Sequence, residues 1–259
     1  MITMLSISKK MYGMKIKQIF FLEKDIFPID SRIDLVGITQ STIPMEGLIP
    51  IETLQKDLTK NEEELFNDIS KSTRKRIKQV QKNENLQKII LTEPSNQEIL
   101  LFQNFYNQFA KKKKTHLCSP YHVETLKLLR DQQALIITKI KDVHQQQTLC
   151  YRVYAADGKR AMPFYSVSHY RLTHDTHFRK LVGNVHCLLI WENIIWFKNR
   201  GYQIYDSGGL TKNPNIRNFK LKFGGEIITE YSGYLANSLL GKAALRIRKW
   251  KLATKNRGE

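Results

Sequence analysis

The sequence has few of the features that place a protein among secreted or membrane-spanning classes. Its 259 residues include three cysteines, Cys118, Cys150 and Cys187, which stand far apart and form no CxxC pair. This spacing predicts neither a disulfide framework nor a zinc ribbon. The apolar run nearest the N-terminus, residues 19–22, is too short for a signal sequence or a membrane span. We therefore expect a protein of the reducing cytoplasm that neither leaves the cell nor crosses a membrane.

Several familiar catalytic motifs are also absent from the sequence. It contains no GxSxG nucleophile elbow, no phosphate-binding GxxxxGK loop and no local pairing of Cys with His. His169, His174 and His177 lie close together, but their spacing fits no common metal site, and no Cys or paired carboxylate completes one. We expect a protein without a bound metal and without a covalent enzyme nucleophile.

Acidic residues are scarce. The chain has 24 Asp and Glu against 42 Lys and Arg, which gives a formal net charge of +18. A protein this basic is expected to meet an anion, whether nucleic acid, a phosphorylated precursor or an acidic membrane surface. The charge is concentrated in residues 71–88, 111–114 and 242–257. A single run of this kind is commonly a solvated surface, whereas three together favour an anionic partner.

The first half of the chain predicts strands followed by three helices. Residues 15–22 and 47–52 are typical of short strands. A capping box at Thr59 and Glu62 predicts a basic amphipathic helix. Its predicted buried face contains Phe66, Ile69, Thr73, Ile77 and Val80. A second capping box at Ser95 and Glu98 begins another helix, and Pro120 begins a third.

The second helix carries an aromatic stripe formed by Phe102, Phe105, Tyr106 and Phe109. Aromatic side chains on one helical stripe are more typical of a hydrophobic core than of a platform for stacking bases. We therefore assign these residues to the core.

The second half begins with three strand-like runs, ALIITKIK, TLCYRVYAA and RAMPFYSVS, whose polar turns predict an antiparallel meander. A long helix is then predicted from Asn184 to its end at Gly201. It leads to a short strand at residues 202–205 and a polar turn, Asp206-Ser207-Gly208-Gly209. A last amphipathic helix contains Phe219 and Lys220 and ends at residues 223–225.

This order of residues, W…I…KxxGYxxYDxGG…FKxxFGG, resembles the FemABX-like and related acetyltransferase domains of the GNAT superfamily. The phrase ISKSTRKRIKQVQK is similar to a helix found early in FemABX-like domains, and the looser resemblance covers residues 49–235. It implies an α/β (α+β) fold, with a GNAT-like mixed, mostly antiparallel sheet flanked by helices. We expect N-terminal strands and a polar connection in residues 1–58, a transferase core in 59–237 and a basic C-terminal helix or tail in 238–259.

The resemblance implies acyl or aminoacyl transfer, a reaction that needs proton transfer and binding of a phosphate-bearing donor. Asp206 is a candidate catalytic residue that could accept a hydrogen bond from the acceptor, and bracing of its turn is the alternative. Lys220, the second candidate, could neutralise a phosphate or be a snorkelling lysine on a half-buried helix. Ser207, Gly208 and Gly209 are candidates for substrate binding, because glycines let a ligand approach the backbone.

A donor site is predicted where the long helix begins. Arg179 and Lys180, with the backbone amides of Gly183 and Asn184, could bind an anion at a helix N-terminus. The local sequence FRKLVGNV departs from the R/QxxGxG/A coenzyme A fingerprint of GNAT proteins. Tyr165 and His169, near the end of the preceding strand, are substrate-binding candidates, and a structural role is the alternative for each.

The sequence thus predicts an acyltransferase that moves an acyl group from a coenzyme A thioester to an amine or hydroxyl of a cell-envelope sugar or peptidoglycan precursor. FemABX-like transfer from aminoacyl-tRNA is one alternative, which the departure from the coenzyme A fingerprint and the high positive charge favour. The coenzyme A thioester is preferred because FemABX enzymes resemble two such units in tandem, and this chain is too short for two. A non-catalytic, basic nucleic-acid-binding protein is the other. Expected partners are a phosphorylated or lipid-linked glycan precursor and tRNA.

The C-terminal helix gives a further expectation. Leu240, Ala243, Ile247 and Trp250 share one face, with basic residues around it. A basic amphipathic helix can lie on an anionic membrane surface, which would place the protein peripherally at the inner membrane face. The alternative is a helix packed on its own domain.

Overall fold

The computed structural model describes residues 4–24, 29–171 and 174–255. The chain divides into two compact units. We call Met1–Glu52 with Ile228–Glu259 the terminal unit and Thr53–Ile227 the central unit. This division differs from the predicted boundaries at residues 58 and 237, because the C-terminal strand and helix fold with the N-terminal strands. The end of the predicted tail, residues 256–259, lies outside the described residues.

The described residues form ten strands and seven helices in the two units. The strands are β1 (Ser6–Met11), β2 (Met14–Phe20), β3 (Leu35–Ser41), β4 (Leu48–Asp57), β5 (Leu86–Leu91), β6 (Leu135–Asp142), β7 (Gln147–Ala156), β8 (Arg160–Ser168), β9 (Ile204–Gly209) and β10 (Glu226–Ala236). The helices are α1 (Glu62–Asn67), α2 (Lys71–Gln81), α3 (Asn96–Lys113), α4 (Pro120–Asp131), α5 (Thr176–Asn199), α6 (Pro214–Leu221) and α7 (Leu239–Lys255). A short 3-10 turn, His169–Arg171, follows β8.

The terminal unit contains strands in the order β1-β2-β3-β10. β2 and β3 run parallel, whereas the other neighbouring pairs are antiparallel. α7 packs against this unit through Ala244 and Leu245, which contact the buried side chains of Met14, Ile16 and Leu35. Strands β1 and β3 lie in segments where the sequence pattern predicted no strand.

The central unit contains strands in the order β4-β9-β8-β7-β6-β5. Only β8 and β9 run parallel among its described pairs. On one face, Asn193 of α5 donates hydrogen bonds to Thr138 of β6 (2.8 Å) and Tyr154 of β7 (3.0 Å). On the other, Phe105 of α3 packs on Tyr151 of β7, with ring centroids 4.9 Å apart. Helices therefore cover both faces, because alternate residues of a strand point to opposite sides.

The predicted mixed, mostly antiparallel sheet flanked by helices is confirmed, and so is the antiparallel meander of β6, β7 and β8. The capping box at Ser95 is also confirmed. The Glu98 amide donates to Ser95 Oγ (3.2 Å), and the Ser95 amide donates to the Glu98 carboxylate (2.7 Å). Phe102 and Phe105 are buried, which confirms the core assignment for these two residues of the aromatic stripe. Tyr106 and Phe109 are half-buried.

The helix predicted from Thr59 is instead two helices, and the capping box predicted at Thr59 and Glu62 is wrong. Thr59 donates hydrogen bonds to the Asp57 carboxylate before the helix begins. Asn61 caps α1 and forms the capping box with Glu64. The predicted buried face nevertheless continues across the break between α1 and α2. It is confirmed at Ile69, Thr73, Ile77 and Val80.

Two further differences concern the region predicted to carry the chemistry. α5 begins at Thr176 rather than at Asn184, because Asp175 caps it by accepting a hydrogen bond from the His177 amide (2.8 Å). Residues 206–209 lie in strand β9 and not in a turn after a strand. The predicted end at Gly201 is confirmed, since this glycine follows the helix with φ +81°.

α7 presents two different faces. Its inner face contains Gly241, where an added Cβ would collide with the Asp34 carbonyl oxygen, so this glycine permits close packing. The predicted apolar residues Leu240, Ile247 and Trp250 are exposed. In the ranges that the structure describes, no helix has the length and apolar character needed to cross a membrane.

Candidate active site

A cleft of about 590 Å³ lies in the central unit, against the face of the sheet that α5 covers. Residues of α2, α3, β7, β8, α5, β9 and α6 contribute to its lining. The cationic lining residues are Arg76, Lys113, Arg152 and Lys220. No Asp or Glu lines the cleft in the part of the chain that the structure describes. A cleft of this volume suits a small molecule or the end of a larger carrier, and its charge favours an anionic one.

Arg152 is the most deeply buried of these cations, with 5% of its surface exposed. It extends from β7 into the cleft, where Nε donates a hydrogen bond to the Tyr154 hydroxyl (2.7 Å) and Nη1 donates to Ser166 Oγ (2.9 Å). Both partners are neutral hydroxyl groups, so they position the guanidinium without cancelling its charge. A buried charge is costly unless it is compensated. An anion bound in the cleft would provide that compensation.

Lys220, on the last turn of α6, reaches the same cleft. Its Nζ donates a hydrogen bond to the carbonyl oxygen of Gly209 (2.8 Å). Burial, and next the positive charge of Arg152, lower the pKa of Lys220 to about 8, while the Asp206 carboxylate opposes the shift. About a tenth of the Lys220 side chains are then neutral at pH 7, which suits a group that accepts and returns a proton.

His186 of α5 completes the polar lining. Its Nε2 lies 2.9 Å from Ser166 Oγ, and its ring stacks on Phe219 of α6. Burial, followed by the charges of Arg152 and Arg76, lowers the pKa of His186 to about 3. The imidazole is therefore neutral at pH 7. Arg152, Ser166 and His186 form a continuous hydrogen-bonded chain along one wall of the cleft.

Arg76 enters the cleft from α2 and is held by α5. Its Nε donates to Asn184 Oδ1 (2.9 Å), and Asn184 Nδ2 in turn donates to Gln79 Oε1 (3.0 Å). Gly183 makes room for the guanidinium, because a Cβ at this position would lie 2.8 Å from Arg76 Nη2. Gly183 and Asn184 thus position a cationic side chain.

Their predicted role through backbone amides at a helix N-terminus is wrong, because both residues lie within α5. The amides in a helix interior are occupied by hydrogen bonds along the helix. The FRKLVGNV segment is consequently helical, and it forms no glycine-rich loop in front of the helix.

Arg179 and Lys180 line a neighbouring cavity of about 490 Å³, which also contacts Arg76, Tyr170 and Asn184. The Arg179 guanidinium lies over the Tyr170 ring, 4.8 Å from its centroid. Arg179 Nε is buried and makes no hydrogen bond with any described residue. The structure therefore brings the four predicted donor-binding residues together around Arg76, at the edge of the cleft.

Asp206 is separated from the cleft. Its side chain has no exposed surface. One carboxylate oxygen accepts hydrogen bonds from the Thr53 hydroxyl and from the Gly208 amide (2.6 Å), and the other accepts from Gln55 Nε2 (3.2 Å). Arg160 Nη1 lies 3.9 Å from the same carboxylate. This environment matches the bracing role that the sequence left open, and the charge of Asp206 also raises the pKa of Lys220.

The residues after Asp206 form part of the cleft wall. Ser207 lines the cleft directly. Gly208 has φ +75°, a conformation that favours glycine, and the Lys220 ammonium would lie 3.5 Å from a Cβ built there. Gly209 supplies the carbonyl oxygen that receives the Lys220 hydrogen bond. These three residues position Lys220 and shape the cleft.

Tyr165 and His169 lie outside the cleft lining. Phe164, Ser166 and Ser168 of β8 line the cleft. Tyr165 is not among the lining residues, and its ring packs against Phe102, with the ring centroids 5.2 Å apart. His169 stacks on the Phe105 ring, with centroids 3.5 Å apart. Both side chains therefore contribute to the packing of α3 on the sheet. This is the structural role that the sequence analysis gave as the alternative to substrate binding.

His174 and His177 lie beside α5 and at its first turn. Within residues 4–24, 29–171 and 174–255, no three His, Cys, Asp or Glu side chains come together as ligands of a metal ion would.

The sequence analysis missed Arg76, Arg152 and His186. A signal was available for Arg152, because it is a lone charge in the apolar run TLCYRVYAA, and a charge in a buried strand needs a partner. His186 follows Gly183 by one helical turn on the same face of α5. Arg76 carried no such signal among the other basic residues of α2.

The comparisons with known proteins show the fold. No family model and no curated protein sequence matches this chain. Among solved structures, the chain is similar to FemX, with a TM-score of 0.61 and 10% identity, over 93% of this chain and 85% of that one. It is also similar to the C-terminal domain of a putative lysylphosphatidylglycerol synthetase from Agrobacterium fabrum, with a TM-score of 0.56 and 11% identity, over 92% and 82% of the two chains.

A third similar structure is a conserved protein of unknown function from Bacteroides thetaiotaomicron, with a TM-score of 0.52 and 8% identity, over 73% of this chain and 63% of that one. At these identities the similarity concerns the fold. The resemblance to FemABX-like domains is confirmed at that level, and the mixed, mostly antiparallel sheet flanked by helices is the fold that this chain shares with these structures.

Proposed function

We propose that the protein is a transferase that moves an acyl or aminoacyl group from a phosphate-bearing carrier to an amine or hydroxyl. The observation that carries the proposal is Lys220, a lysine with a pKa of about 8 in a cleft that arginines line and to which the described residues contribute no acid. Such a lysine can exchange protons near neutral pH, and its neighbours can bind phosphate. The FemX-like fold supports this choice among reactions.

In the proposed reaction the acceptor nitrogen or oxygen attacks the carbonyl carbon of the donor ester or thioester. Neutral Lys220 takes the proton that the attacking group loses. The carbon–sulfur or carbon–oxygen bond to the carrier then breaks, and the leaving group takes the proton from Lys220. Lys220 ends the cycle neutral, and no covalent enzyme intermediate is formed.

The arginines have a separate task in this reaction. Arg152 is fixed by two hydroxyl groups and Arg76 by Asn184, so neither must be ordered when a ligand arrives. Planar guanidinium groups bind phosphate oxygens in pairs. We assign both to phosphate groups of the substrates, with Ser166 and neutral His186 as hydrogen-bonding groups beside them.

A coenzyme A thioester is the donor that we test first, since the cleft accommodates a slender carrier and its cations fit a diphosphate. Aminoacyl-tRNA is the second candidate. It is favoured by a basic surface on α2, where Lys71, Arg74, Lys75 and Lys78 surround a cavity of about 440 Å³. The helical conformation of residues 178–184, which occupies the backbone amides of Gly183 and Asn184 that were expected to bind the donor, also favours it.

For the acceptor we propose a phosphorylated or lipid-linked precursor of a cell-envelope sugar or of peptidoglycan, met on the cytoplasmic side of the membrane. The net charge of +18 supports an anionic acceptor. The name of one similar protein, a putative lysylphosphatidylglycerol synthetase, also points to an envelope component for that protein.

The first experiment is calorimetric titration of the full-length protein with coenzyme A at about physiological ionic strength, where exposed charges are screened over roughly 8 Å. We expect saturable one-to-one binding that Arg152→Gln weakens at least about tenfold. Lys222→Met is the matched control for Lys220→Met, because Lys222 is exposed and only two residues away. It should leave binding and turnover unchanged.

The other outcomes have distinct meanings. Binding of aminoacyl-tRNA without binding of coenzyme A would select the second donor. Strong, salt-dependent binding to any RNA or DNA, unaffected by Arg152→Gln and Lys220→Met, would favour the non-catalytic nucleic-acid-binding protein and contradict the proposal.

A further inference from the structure

The outward face of α7 is an exposed apolar stripe. Trp250 is 66% exposed, Ile247 55% and Leu240 53%, and Leu239 at the start of the helix is 84% exposed. At about 100° per residue these side chains, with Ala243, fall within an arc of roughly 100° on the helix surface. Large apolar side chains that are exposed together mark an interaction site more often than scattered ones do.

A basic stripe runs beside the apolar one. Lys242, Arg246 and Lys249 are exposed and fall in the adjacent arc, which spans roughly 60°. The helix contains no Asp or Glu. The exposed half of α7 is therefore amphipathic in its own right, with apolar and cationic groups side by side.

The orientation of this face is fixed by the terminal unit. Ser238 Oγ donates a hydrogen bond to the Asp34 carboxylate (2.7 Å) and accepts one from the Gly241 amide (3.1 Å), which anchors the first turn. Further along, the Arg248 guanidinium lies over the Tyr234 ring, 4.6 Å from its centroid. With Ala244 and Leu245 packed inward, the helix cannot bury its outer stripe by rotating without losing these contacts.

We propose that α7 binds the surface of an anionic lipid bilayer, with Leu240, Ile247 and Trp250 inserted among the acyl chains and Lys242, Arg246 and Lys249 at the phosphate groups. An apolar stripe flanked by cations matches the two layers of such a surface, apolar chains beneath anionic headgroups. Tryptophan is suited to the boundary between them. This binding is independent of the transferase activity and does not require the cleft.

The test is co-sedimentation of the full-length protein with vesicles of phosphatidylcholine alone or with about a third of phosphatidylglycerol. We expect binding to the anionic vesicles only. The double variant Leu240→Ser/Ile247→Ser, and separately the triple variant Lys242→Gln/Arg246→Gln/Lys249→Gln, should each weaken binding at least about tenfold. Leu100→Ser/Leu101→Ser is the matched control, since these leucines are also exposed, on α3, and should not affect binding.

Fluorescence gives a second readout that does not depend on stability. Trp250 is exposed whereas Trp191 is buried, so a blue shift on adding anionic vesicles that Trp250→Phe abolishes would place Trp250 in the bilayer. Absence of binding to anionic vesicles would overturn the proposal, as would equal loss of binding in the α3 control. A concentration-dependent dimer that Leu240→Ser/Ile247→Ser converts to a monomer would also overturn it, because a second copy would then cover the stripe.

Discussion

The two sides of β9 show how burial decides what a polar side chain can do. The Asp206 side chain has no exposed surface, and its carboxylate accepts hydrogen bonds from Thr53 and Gln55 of the neighbouring strand β4 and from the Gly208 amide. Lys220 lies on the side of the cleft, half-buried, with one hydrogen bond to Gly209 and a lowered pKa. The fully satisfied group stabilises the fold, whereas the partly satisfied group keeps the capacity to react.

The largest expected effect is on Lys220. Lys220→Met should lower turnover by about 100- to 10,000-fold, because it removes the group that carries the proton. It should leave the free energy of unfolding nearly unchanged. Steady-state kinetics with the donor selected by calorimetry, together with urea unfolding, would measure both. Full activity in this variant would show that Lys220 does not carry the proton, and would contradict the contrast drawn here between Lys220 and Asp206.

The pH profile sharpens the same prediction. Because neutral Lys220 is the active form, kcat/KM should rise with pH through an apparent pKa of about 8 and level off above it. Arg152→Gln removes a positive charge that lowers the pKa of Lys220, so the rising limb should move to higher pH. If the rise of kcat/KM with pH has the same midpoint in Arg152→Gln as in the unchanged protein, a group other than Lys220 controls it.

Asp206 should give the opposite pattern. Asp206→Asn leaves the Thr53, Gln55 and Gly208 donors without a carboxylate in a buried site, which should cost about 2–4 kcal/mol of the free energy of unfolding. Asp131→Asn, at an exposed carboxylate, is the matched control and should change stability by less than about 0.5 kcal/mol. A stable but inactive Asp206→Asn variant would contradict the bracing role and restore Asp206 as a catalytic residue.

The smallest expected effect is on Gly183. Alanine in a helix interior is favoured over glycine by about 1 kcal/mol, but its Cβ would contact Arg76 Nη2. The end of the Arg76 side chain can move to make room for the Cβ, and the hydrogen-bonding position that it loses offsets the helix preference of alanine. Gly183→Ala should therefore unfold at nearly the same urea concentration as the unchanged protein. Displacement of the guanidinium should weaken anion binding about two- to fivefold in calorimetry, which is a modest loss of a charge-assisted hydrogen bond. Unchanged binding would mean that Arg76 does not contact the ligand.

Sequence patterns predicted the elements whose signals are local. The meander, the Ser95 cap and the helix break at Gly201 follow from alternation, capping chemistry and glycine, all within a few neighbouring residues. The start of α5 was misplaced because residues 178–184 were compared with the coenzyme A fingerprint, although Phe178, Leu181 and Val182 have helical spacing. Strands β3 and β5 were missed because their burial comes from pairing with distant strands. Strand β1 was missed although it forms a hairpin with β2, with only Tyr12 and Gly13 between them.

The cleft could be predicted only in part, because its residues converge from separate elements. Lys220 was found from its place between Phe219 and Phe223. Asp206 was assigned to the chemistry because its position beside two glycines suggested an open turn, whereas the strand buries it. The contact between Arg76 and Gly183 joins residues more than 100 positions apart, and no local pattern reports it.

The neutral His186 has a consequence for how the cleft responds to acidity. With a pKa of about 3, its imidazole takes up no proton between about pH 5 and 8, the range in which an ordinary histidine would change charge. The Arg152 guanidinium, whose pKa is raised, also keeps its charge throughout this range. Mild acidification therefore leaves the charge states of Arg152 and His186 unchanged, and the protonation of Lys220 adds positive charge to the cleft while the supply of neutral Lys220 falls. Acid should slow the reaction without releasing the substrate.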